Sequence, residues 1–300
     1  MLRFIIRRLL WTIPVILITT FGTFLLVRQL PPPFKGNVKL PPQVKANLLH
    51  LFGLDKPWYQ QYSDYMVRLV HGNFGLSTKA GNPNVVDIIR DTLPVSMLLG
   101  GSAFVVAMVV GITLGVLSAL WANRPIDWII TIITTTAFAI PTFLVCQYSV
   151  ELLPYWSIGW NTLQSKIMPI LVLGFSIMPY FTRVVRATVL ETLQSDFIQT
   201  ARAKGLPWRT TVIRHVVRNS LIPTVTNAGP LLGFILTGSF LIESIMNVPG
   251  VAGEFVRSFG DPLDPNMILD TTVLVSVMII LANLLVDISV AWLDPRITND

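Results

Sequence analysis

The chain has 300 residues, of which 52% are hydrophobic and only 13% charged, against about 25% charged in an ordinary soluble domain. That composition excludes a simple soluble enzyme and points to an integral membrane protein. The single cysteine, Cys146, excludes an internal disulfide and a cysteine metal cluster. The net charge of +6 does not imply nucleic acid, because the basic residues follow a membrane topology.

In chain order, residues 9–27, 92–123, 128–150, 167–182, 219–242 and 271–286 contain no charged side chain. A helix crosses the hydrocarbon core with about 20 apolar residues, and the two shorter stretches gain length from apolar flanks. Six spans are therefore expected. Arg3, Arg7 and Arg8 precede the first one as a signal peptide's basic segment would. Its apolar run is too long, however, and it ends in LLVRQLPPP without a small-residue cleavage site, so it is expected to stay attached.

With the N-terminus inside, the inner segments 1–8, 122–127, 183–222 and 294–300 hold most of the short-loop Lys and Arg residues, including Arg124, Arg183, Arg186 and Arg296. The short outer loops hold only Lys166 and Arg257. By the positive-inside rule both termini are cytoplasmic.

Residues 31–91 are the one sizeable piece outside the membrane, beginning with the proline-rich PPPFKGNVKLPP and continuing with helical spacing over Val44–Val70. They form either a small cap or an amphipathic connector lying on the surface. Gly111-Ile-Thr-Leu-Gly115 is a GxxxG, which permits close helix approach in lipid. Gly100, Gly101, Gly229, Gly233 and Gly238 occupy comparable positions. Glu243 and Asp287 are expected near span ends, as interfacial charges.

No HExxH, GxSxG or GxxxxGK[ST] occurs, and His50, His71 and His215 are divided between the two sides. The chain is therefore not expected to be an enzyme or to bind ATP by itself, and it is expected to take no cofactor and no metal. An intramembrane hydrolase has no motif to support it.

The inner segment RVVRATVLETLQSDFIQTARAKGLPWRTTVIRHVVRNSLIP is the most informative. Helix formers over Ala187–Lys204 predict one helix, which Gly205 and Pro207 end. A second helix is predicted over Trp208–Asn219, with Pro223 opening the fifth span. A solvated basic loop would account for the charge, but not for Ala201 and Ala203 beside a hard stop, where small residues would let another surface come close.

This segment resembles the EAA loop of ABC-importer permeases. Gln199, Thr200 and Ala201 stand at the E-A-A positions, with Gly205 as the glycine. It is closer still to the peptide/nickel subfamily, through Thr200-Ala201-Arg202-Ala203-Lys204-Gly205-Leu206 and then His215, Arg218, Asn219 and Pro223. RRLL, GNFGLS, ESIMNVPGVAGEF and NLLVDISVAWLDPRI extend the likeness over essentially the whole chain. Two departures stand out: Gln199 replaces the glutamate, and Pro31-Pro32-Pro33 replaces a Gly-Asp-Pro turn.

The resemblance implies an all-α polytopic membrane protein of six transmembrane helices, with a cytoplasmic EAA coupling helix and an outer loop domain after the first span. Its parts would be an N-terminal span over 1–30, an outer loop over 31–91, the permease domain over 92–293 with its coupling loop at 187–223, and a tail over 294–300. It implies a bacterial or archaeal cytoplasmic membrane and an importer working by alternating access. The partners implied are a second permease subunit, two ATPase subunits that bind ATP and Mg, and an extracytoplasmic solute-binding protein. Gln199 through Leu206 would couple to the ATPase. Peptides are the substrate expected, with nickel or another small solute as the alternative. A stand-alone secondary transporter or channel is the reading from a different class, and few ionisable groups lie in the spans to serve it.

Overall fold

The computed structural model describes residues 2–30, 41–51, 53, 55–79, 81–260 and 262–293, with side chains left undescribed at 1–9 and 286–300 and at scattered positions between. PPPFKGNVKL, the tail 294–300 and the side chain of Asp287 therefore lie outside the described residues.

The chain is nearly all helical. In order it forms α1 (Leu2–Gln29), α2 (Pro42–Leu51), α3 (Trp58–Val70), α4 (Val85–Leu120), α5 (Pro125–Ala139), α6 (Thr142–Leu152), α7 (Pro154–Ser157) and α8 (Leu163–Leu193). Then come α9 (Asp196–Ala203), α10 (Trp208–Thr210), a π-helical stretch (Thr211–Val217), α11 (Arg218–Leu236), α12 (Phe240–Ile245), α13 (Val251–Arg257) and α14 (Pro265–Leu293).

Among the described residues, four segments are long and apolar enough to cross a membrane: Thr12–Gln29, Val85–Leu120, Leu163–Leu193 and Pro265–Leu285. The pair α5 and α6, bent by 89° at a break of a few residues, makes up to five. Where the fifth span was expected lies α11, a continuous helix with Pro223 inside it.

α4 and α8 form the centre. A Cβ at Gly111 would stand 2.6 Å from Phe181 Cβ, and one at Gly115 would stand 2.8 Å from the Thr182 carbonyl. The expected GxxxG is thus the seam at which the α8 backbone closes on α4. Gly233 does the same for α11 on α14, since a Cβ there would lie 2.5 Å from Ile279 Cα. Without a water-driven force between helices in lipid, such close contact is what holds them together.

α3 shares a core with the spans: Tyr65 packs with Phe24 and Val27 of α1 and with Ile268, Leu269 and Val273 of α14. Tyr62 reaches Thr20 by a hydroxyl contact of 3.1 Å. Burial and the nearby Asp270 carboxylate hold the Tyr65 hydroxyl well above the usual phenol range. The turns of GNFGLS are stapled to the start of α14, where Asn266 Nδ2 donates to the Leu76 carbonyl at 2.8 Å and Ser77 donates to Asp264. Lys79 pairs with Glu254 of α13.

Candidate functional site: the α9 turn and its supports

The helix predicted over Ala187–Lys204 is broken. α8 carries the span straight through to Leu193 and ends at Gln194, and Ser195, in an extended conformation, starts the separate helix α9. Continuous helix formers did not reveal this break. It comes from packing, which turns α9 so that Ile198 enters a cluster with Ala119, Val185, Val189 and Val216. The second expected boundary is also moved. Trp208 to Leu236 runs on as one helical path through the π stretch, so Pro223 lies inside α11 and does not open it. π segments of this kind often occur at functional sites.

α9 ends in a Schellman motif. Gly205 N–H donates to the Arg202 carbonyl at 2.9 Å, and Leu206 N–H donates to the Ala201 carbonyl at 3.3 Å. The motif requires a left-handed residue, and Gly205 supplies it with φ of 78°. The expected stop is therefore correct in place and in cause.

The structure divides the eight candidate residues between two faces. Ala201 is only 9% exposed and lies one turn from the fully buried Ile198. Its small size lets α9 lie close on this chain's own helices. Gln199, Thr200, Arg202, Ala203, Lys204 and Leu206 are exposed. Gln199 Nε2 donates to the Gln194 carbonyl at 3.3 Å, and Thr200 Oγ1 donates to the Asp196 carbonyl at 2.9 Å. Arg202 stacks its guanidinium 4.4 Å above the Trp208 ring and so fixes the turn from outside. Phe197, Trp208 and Ile213 add exposed apolar area, and Lys204, Arg209 and Arg214 add exposed positive charge.

The two legs of the loop are tied at their base. Thr188 Oγ1 donates to the Ser220 carbonyl at 3.3 Å, and Ser220 Oγ donates to Thr192 Oγ1 at 3.2 Å. The α9 turn is thus a braced projection.

Two polar centres escaped the sequence reading. Asp127, read only as the end of an uncharged stretch, is 5% exposed. Arg186, read as a topology charge, donates to it through Nε at 2.9 Å and Nη2 at 2.8 Å. Ser118 also donates to Asp127, and Asn123 N–H reaches Oδ2 at 2.9 Å. The only sequence signal was the helix start Arg124-Pro125-Ile126-Asp127, with proline at the first helical position.

Glu243, expected as an interfacial charge, is fully buried. It accepts from Ser96 Oγ of α4 at 2.8 Å and from Gly253 N–H at 2.7 Å, while Ser96 accepts Val251 N–H at 2.9 Å. It is the internal knot of ESIMNVPGVAGEF. A Cβ at Gly250 would collide with it, which explains that glycine.

A bundle of apolar spans with one braced helical turn projecting from it defines the class: a polytopic membrane permease. The chain belongs to the family of binding-protein-dependent transport system inner membrane components, whose model matches residues 111–299, while the N-terminal model of the same system matches residues 1–100. Within that family it is an ABC-importer permease of the oligopeptide/dipeptide group.

It is 37% identical over 305 aligned positions to the oligopeptide transport system permease OppB of Escherichia coli K12, covering 99% of both chains. It is likewise 37% identical to the dipeptide transport system permease DppB of Lactococcus lactis, again over 99% of each. DppB of Bacillus subtilis is 35% identical, over 99% of this chain and 98% of its own.

In fold it is similar to the inward-facing MetNI methionine ABC transporter, with a TM-score of 0.58, 19% identity and coverage of 69% of this chain and 96% of that one. An amino acid ABC transporter solved with histidines gives a TM-score of 0.52 at 11% identity, covering 70% of this chain and 94% of that one.

Proposed function

We propose that the chain is one of two permease subunits of an ATP-driven importer of peptides, and that α9 is its coupling helix. One observation carries this. α9 is anchored to the bundle by Ile198 and Ala201 alone on one side, while its other side and the Gly205-Leu206 turn stand free. A loop that served only topology would need no Schellman stop, no Arg202–Trp208 stack and no tied base.

In this reading the exposed face of Phe197, Thr200, Ala203, Lys204 and Leu206 docks into a groove on an ATPase subunit. That subunit binds ATP and Mg; this chain binds neither. Closure of the two ATPases displaces α9, and the spans exchange inward and outward openings as rigid bodies. A second, related permease completes the pathway, and an extracytoplasmic binding protein delivers the solute. Both termini face the cytoplasm. Peptides are favoured over nickel or another solute because OppB and DppB, by name, transport oligopeptides and dipeptides.

The test is reconstitution in liposomes with the second permease, the ATPases and the binding protein. Uptake of labelled di- to pentapeptides should require all of them together with ATP. Peptide uptake by this chain alone without ATP would overturn the proposal.

A further inference from the structure

We propose that Arg186 and Asp127 form a positioning latch, which hands the displacement of α9 to the bent α5–α6 element. The inference rests on the coupling role proposed for α9.

The latch is complete on all sides. The Arg186 fork meets both Asp127 oxygens, Ser118 shares Oδ1, and the Asn123 N–H, from a left-handed residue with φ of 63°, shares Oδ2. Four contacts on one nearly buried carboxylate lock α4, α5 and α8 at a single point. An arginine–carboxylate fork is directional as well as strong, so it resists rotation and not merely separation.

Position makes the latch a transmitter. Ser118 adjoins Ala119 and Arg186 adjoins Val185, and both of those neighbours line the cluster that receives Ile198 of α9. A push on α9 therefore reaches the α4 and α8 ends beside the latch.

On the receiving side, α5 cannot be driven through α6 as a rigid rod, because the two meet at 89°. α5 has its own hooks on α8. Besides the latch, Arg183 lies 4.4 Å over the Phe138 ring, and Thr142 meets Ser176 at 3.2 Å just past the bend. The register is antiparallel, with Asp127 nearest the α9 end. Of the three hooks, only the latch is multidentate and only it stands beside the coupling cluster.

The experiment uses the whole complex in proteoliposomes and measures uptake and ATP hydrolysis together. Arg186→Ala and Asp127→Ala should each lower uptake per ATP by about tenfold, within the usual range of coupling between sites. The double variant should be no worse than either single, because all three remove the same link. Arg186→Lys, which keeps the charge but loses the fork, should fall between wild type and Arg186→Ala.

Should a single variant fail to assemble, Asp127→Asn/Arg186→Gln removes the ionic fork without leaving a lone buried charge, and it should show the same uncoupling. Uptake per ATP within about twofold of wild type in an assembled variant, or losses that multiply in the double variant, would overturn the latch alone. A wild-type complex with no ATP-driven uptake would overturn the coupling reading and the latch with it.

Discussion

Replacing Gly205 by valine separates a fold defect from a coupling defect. The φ of 78° puts a β-branched residue in the left-handed region, at about 1–2 kcal/mol. Nothing lies within 4 Å of the position a Cβ would take, so no steric collision adds to that strain. Opposing it, the fully buried Ile198 contributes about 1.5–3 kcal/mol to holding α9 on the bundle. The anchor matches or exceeds the strain over most of these ranges, and the turn can open without undocking Ile198, so α9 stays docked. The strain is relieved at the turn, where the two Schellman hydrogen bonds open and Leu206 and Trp208 leave their positions. Spans, membrane insertion and ATPase activity should persist, while uptake per ATP falls about tenfold, the equivalent of roughly 1.4 kcal/mol. Gly205→Asn should retain most coupling, because asparagine visits the left-handed region at little cost. Paired uptake and ATP-turnover measurements in proteoliposomes decide the matter. A wild-type ratio in Gly205→Val, or equal loss in the valine and asparagine variants, would refute the reasoning.

Ala201→Asp should detach α9 from its own bundle, by placing a charge on the buried face beside Ile198, and faster proteolysis at residues 194–208 in the isolated chain would report it. Gln199→Ala should lower uptake by about tenfold at most, since one hydrogen bond contributes only ~0.5–1.5 kcal/mol. Gly115→Leu should prevent close approach of α4 and α8, and is expected to lower the thermal midpoint in detergent or to abolish accumulation; a normal midpoint would deny the seam. Glu243→Ala leaves Ser96 and the Gly253 N–H without their acceptor, at about 1–3 kcal/mol, whereas Glu243→Gln should lose less. Thermal unfolding of the two variants side by side distinguishes them.

The sequence by itself determined the class of the molecule, because lipid imposes a length and a composition that can be counted along the chain. It also fixed the stop at Gly205, since a left-handed residue followed two positions later by proline acts locally. The GxxxG seam was legible for a similar reason: small residues four apart share a helix face whatever they meet. Only the tertiary structure decided what lies across from each residue. The break at Gln194–Ser195 arises because burying Ile198 between Val189 and Val216 outweighs continued helix. Ala201 turned inward, although small size alone would serve either face. Arg186 and Asp127 stand 59 residues apart, and Ser96 and Glu243 stand 147 apart. A charge near a predicted span end looks the same in sequence whether it faces water, lipid or a partner. It is resolved only when the helices are in place, because burial of a charge is tolerated where opposite charge or hydrogen bonds meet it.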